Sequence, residues 1–212
     1  MKTQLALLLF QYWNRLRNGA PVPSRLSIEP SDIRDVLSYT FILQSSSSAG
    51  DMNFRLAGTS ISNLFGRQFR QSPFRQLFHD RHHAVVSRLL RNCYQDHSLV
   101  LIGLEAVTRS GRMSNLEILL LPLQSETEGN HILGCIVPHK KAFWHGLEPV
   151  LSLDLQSIRV LDPDRELLFL ANRPEILLAP SVSPTEMNLE PMGRKTGAQL
   201  LVIEGGKSTA PQ

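Results

Sequence analysis

Between residues 98 and 137 the chain carries three stretches rich in valine, isoleucine and leucine. They cover 98–108, 112–123 and 131–137, joined by the turn Arg109-Ser110-Gly111-Arg112 and by a polar segment at 124–130. Such residues at such spacing read as strands with tight connections. Two shorter strands precede them. Residues 39–44 are β-branched and aromatic, and 52–57 alternate Met52, Phe54, Leu56 against Asn53, Arg55, Ala57. A serine-rich loop at 45–51 joins the two as an antiparallel hairpin.

Helices separate the two strand groups. Thr59 can cap a short helix carrying Ile61, Leu64 and Phe65, which Gly66 closes. An aromatic, irregular stretch holds Phe69, Phe74 and Phe78. A longer helix at 81–95 has Val86, Leu89 and Cys93 as its apolar stripe, widened by Val85 and Leu90, with His82 one turn earlier on the same line. This order predicts an α+β fold: a five-stranded antiparallel sheet with the mid-chain helices across one face.

The ends lie outside that unit. Leu5, Leu8, Leu9, Tyr12 and Leu16 share one face of a helix at 3–18, stopped by Gly19 and Pro21. The apolar run is too short for a signal peptide and no cleavage pattern follows. The expected division is an N-terminal helix and connector (1–27), a core (28–140) and a partly irregular C-terminal extension (141–212), with alternation at 151–155 suggesting a strand.

Apolar residues make up 42% and charged residues 19%, which excludes a wholly disordered chain. No apolar stretch approaches the roughly 18 residues of a membrane span. The two cysteines, Cys93 and Cys135, form no disulfide framework and suit a reducing cytoplasm. The net charge of +3 is uneven: residues 1–100 hold 12 basic and 6 acidic side chains, the rest 10 and 13. Arg67, Arg70, Arg81, Arg88 and Arg91 form the densest basic stretch, either a solvated helix face or a contact for phosphates or an acidic partner. It lacks zinc-finger spacing, an aromatic platform and a helix-turn-helix, so nucleic acid is not expected.

The order of elements resembles a PAS domain. The residues are also similar to a stand-alone bacterial PAS family. Tyr12-Trp13 with Leu16-Arg17, Pro23-Ser24-Arg25, Ile28-Glu29-Pro30, Phe54-Arg55-Leu56-Ala57-Gly58-Thr59 and Leu64-Phe65-Gly66-Arg67 carry the likeness, with Leu119-Leu120-Leu121-Pro122-Leu123 and Ile132-Leu133-Gly134. Gln68 stands where that family usually has an acid. The resemblance implies a sensory or regulatory module without catalysis, acting through a ligand or a protein partner. It also implies an apolar pocket between sheet and helices. Leu56, Leu64, Phe65, Phe74, His82, Val86 and Leu89 are the candidate lining, or simply core.

In haem-binding PAS proteins the axial histidine comes from a similar helix, which singles out His82. Zinc spacing is absent, and no nucleophile–base set is found. Tyr12, Trp13 and Leu16 are the expected homodimer or partner surface, because an amphipathic stripe must be covered. The alternative is an arginine-rich adaptor that binds an acidic protein or a nucleotide through residues 67–91.

Overall fold

The computed structural model describes residues 1–45, 51–125, 129–162 and 176–177. The N-terminal helix α1 spans Gln4–Arg17. Thr3 caps it, its hydroxyl accepting from the Ala6 N–H, and Arg15 and Arg17 lie at its negative end. Asn18, with φ at 45°, turns the chain out of the helix. After a connector and the short helix α2 (Arg34–Leu37), the hairpin β1 (Thr40–Ser45) and β2 (Met52–Ala57) forms. Helix α3 (Thr59–Phe65) follows, with Gly58 rather than Thr59 at its N-cap. Any side chain at Gly58 would strike the Ser38 carbonyl. Two 3-10 turns at Phe74–Leu77 and Asp80–His82 lead into α4 (His83–Gln95). Strands β3 (Leu99–Thr108), β4 (Met113–Leu123), β5 (His131–Pro138) and β6 (Val150–Leu161) complete the chain's main elements, with a two-residue β7 at Ile176–Leu177.

All strands join one sheet in the order β2-β1-β5-β4-β3-β6-β7, and every pair is antiparallel. The early hairpin therefore joins the late meander through β1 and β5, as the sequence predicts. The sheet is wider than five strands. β6 pairs with β3 from Leu99↔Leu161 to Thr108↔Val150, so the folded core runs on past residue 140 into what reads as an extension. The expected irregular character of the remaining C-terminal residues lies outside the described residues.

Two apolar layers cover the sheet. On one face α3, α4 and the turns between them pack on alternate residues such as Phe41, Ile102, Ile118 and Leu153. On the other face α1 covers Leu101, Leu119, Leu133 and Cys135. Helices thus occupy both faces: the mid-chain ones share a face, and the N-terminal helix takes the opposite one. From Leu116 to Leu123 of β4 and along β5 nearly every position is apolar, because both sides of these stretches are buried. Gly134 lies opposite Phe41, whose ring covers it: a Cβ there would meet that ring and the Leu119 carbonyl.

Candidate functional site

The space between sheet and mid-chain helices is filled. Phe41, Phe54, Phe65, Phe69, Phe74 and Phe78 form a continuous ring network, with centroids 4.9–5.6 Å apart. Leu64, Phe65, Phe74 and Val86 are buried in this layer and Leu89 packs against it. These expected pocket residues are brought together, but as core. A surface groove of about 730 Å³ runs along β2 beside residues 68–71.

Leu56 is not part of the lining. The β1–β2 ladder shifts between Ile42 and Leu43, so Leu43 lies opposite Phe54 and Ile42 opposite Leu56, with Arg55 the extra residue. Such a bulge reverses the faces of all that follows. Leu56 therefore shares the α1-side face with Ile42 and is 48% exposed. His82 is displaced too. It lies in a 3-10 turn, outside the α-helical periodicity of α4, and faces the Asp154 carboxylate at 3.1 Å, which Arg81 also contacts at 2.6 Å. Burial, chiefly, pushes the His82 pKa down, against the pull of Asp154. A histidine in an ion-pair cluster at the sheet edge is not presented to the apolar interior, as an axial haem ligand would be.

The other face holds the polar geometry. Glu117, in the middle of β4, is 2% exposed. Its carboxylate accepts from the Thr3 hydroxyl (2.8 Å), the Thr3 N–H (3.3 Å) and the Lys2 N–H (2.8 Å). A buried carboxylate is thereby paired with the positive end of α1. Further along α1, the Trp13 indole donates to the Pro122 carbonyl at 2.8 Å. The Tyr12 hydroxyl accepts from the Glu29 N–H at 2.8 Å, tying helix to connector. Tyr12 and Trp13 are buried and Leu16 packs beside them. The stripe expected to form a dimer surface is thus covered by the chain's own sheet.

The arginine stretch does not converge either. Arg67 stacks over Phe69 at 4.9 Å, Arg81 is paired with Asp154, and Arg70, Arg88 and Arg91 are exposed. On the β3–β4 hairpin Glu105 lies opposite Asn115, and Glu117 opposite Gly103. Burial pushes the thiols of Cys93 and Cys135 far above their usual range. Among the described residues no group of three or more histidine, cysteine, aspartate or glutamate side chains is placed to hold a metal. No helix among them is long and apolar enough to cross a membrane.

Glu117 carries this site, yet in the sequence it reads as a solvated strand glutamate. The available signal is its place inside the run Leu116–Leu121, where a lone carboxylate has apolar neighbours on both sides.

An antiparallel sheet ordered 2-1-5-4-3 with short helices packed over one face defines a PAS-type module. The pattern of the PAS domain family matches residues 1–137, and the chain belongs to that family. The matched span includes α1, so this helix is part of the domain rather than a flanking segment. Membership implies a sensory or regulatory module, a type that is typically not catalytic. No curated protein matches the chain.

Proposed function

We propose that this PAS module is a non-enzymatic regulator whose output is the docking of α1 on the sheet. The carrying observation is the buried Glu117 carboxylate at the N-terminus of α1. It supports a two-state element: a helix held at its ends by directed polar bonds over a long apolar stripe, free to expose that stripe when the bonds are lost. The filled phenylalanine layer supports a signal that arrives at the surface rather than as a molecule within the core. In the released state Tyr12, Trp13 and Leu16 would meet a second copy or a signalling partner.

The test is Glu117→Ala, followed by hydrogen exchange and light scattering. The expected outcome is faster exchange of the α1 amides with β3–β5 unchanged, and association of the variant through the exposed stripe. Loss of protection in α1 and the strands together, with a monomer throughout, would mean that α1 is inseparable from the core and carries no output.

A further inference from the structure

At the sheet end where β1, β2, β4 and β5 meet, basic groups converge with no counter-charge among the described residues. His131 is 1% exposed, and its cross-strand neighbours are Gln44 on β1 and Leu123 on β4. Gln44 lies opposite Asn53, and its side-chain oxygen accepts from Arg55 Nη1 at 3.1 Å. The connector closes over this corner. The Arg25 N–H donates to the Gln124 carbonyl and the Gln124 N–H to the Pro23 carbonyl, both at 2.9 Å. Among the described residues four buried polar atoms here lack a well-formed hydrogen bond: Arg25 Nε, both ring nitrogens of His131, and Asn53 Oδ1. Burial, chiefly, together with Arg25 and Arg55 pushes the His131 pKa down, against the pull of the Gly129 backbone. No ion pair among the described residues involves Arg25, Arg55 or His131.

Buried polar atoms on this scale are normally satisfied. We infer that this corner is a binding site for a phosphate group, held by Arg25, Arg55 and His131. Arginine suits such an oxyanion better than a point charge does. A phosphate that keeps one proton matches the set: accepting oxygens face the two guanidinium groups and the imidazole N–H, and its hydroxyl donates to Asn53 Oδ1. The groove along β2 begins at the same residues, Gln44, Asn53 and Arg55, and continues to Arg70. It has room for an organic body attached to the phosphate. This site stands independently of the α1 proposal.

The test is calorimetric titration of the full chain at pH 7 and constant ionic strength with inorganic phosphate, glycerol phosphate and sulfate, against chloride. Saturable binding is expected for both phosphates. At pH 7 inorganic phosphate keeps a proton whereas sulfate and most of the glycerol phosphate do not, so sulfate should bind several-fold more weakly than inorganic phosphate, and glycerol phosphate should tighten as the pH is lowered to about 6. Tighter binding of glycerol phosphate than of inorganic phosphate would assign the groove to a carried phosphate, and the reverse would assign the site to the free ion. Arg25→Gln and Arg55→Gln should each weaken binding at least tenfold, while Arg88→Gln leaves it unchanged. Arg55 is exposed, so its variant folds. The inference is overturned by an absence of saturable binding, or by equal affinity in the Arg25 and Arg55 variants. It is also overturned if binding appears only in a Glu126→Gln, Glu128→Gln chain, which would give the counter-charge to the chain's own acids.

Discussion

The two faces of the sheet are built on different terms. The α3–α4 face is closed by interlocking rings and aliphatic side chains, with Phe54 touching three other phenylalanines. The α1 face is equally apolar beneath the helix, but directed polar contacts hold the helix in place: Glu117 at its start and Trp13 near its end. Packing of the first kind is lost all at once, because each ring supports its neighbours. Contacts of the second kind can be undone at one end while the sheet persists. The difference separates a structural face from one suited to regulation.

The largest effect is expected from breaking the aromatic face. Phe74→Ala should cost about 3–5 kcal/mol, read as a lower midpoint in urea denaturation with far-UV and near-UV signals lost together. Retained near-UV structure with only α3 disturbed would show that the rings are not one unit.

An intermediate effect is expected from acid. Burial lowers the pKa values of His145 and His82 from the usual 6.5, so each folded ring resists protonation. The unfolded chain then binds more protons, and stability should fall as pH drops from about 6.5 through the lower folded values. His145 also contacts the Ala142 N–H (3.3 Å) and the Ser114 hydroxyl (3.1 Å). Denaturation midpoints at pH 7.5 and 5.5 should therefore differ less in His145→Gln than in wild type. An unchanged pH dependence in the variant would remove His145 from this account.

The smallest effect is expected at the bulge. Leu56→Ser should change stability by no more than about 0.5 kcal/mol, measured by the same denaturation, because Leu56 faces outward. A loss comparable to that of Phe74→Ala would return Leu56 to the aromatic face and remove the bulge.

Much of this architecture is legible in the residues. Periodicity locates α1 and α4, and β-rich stretches bounded by turn residues locate β1–β5, because these signals are local. Other features depend on distant partners. Arg55 looks like any alternating strand residue, and only pairing with β1 reveals it as the extra one that turns Leu56 outward. The stripe of Tyr12, Trp13 and Leu16 demands a cover, but nothing local says that the cover is Leu119, Leu133 and Cys135 of the same chain. β6 is half legible: Leu151, Leu153 and Leu155 alternate, whereas its full length follows from pairing with β3. The set around His131 is the least legible, since Arg25, Arg55 and His131 are far apart in sequence and come to one corner only through strand pairing at a sheet end.

The contrast between the faces is tested most directly by native-state hydrogen exchange on the unaltered chain. The α1 amides should exchange through a local opening that depends little on denaturant and has a lower free energy than global unfolding, while β3–β5 and α4 exchange only by global unfolding. Convergence of the α1 amides on the global value at every denaturant concentration would contradict the account, making the two faces a single cooperative unit.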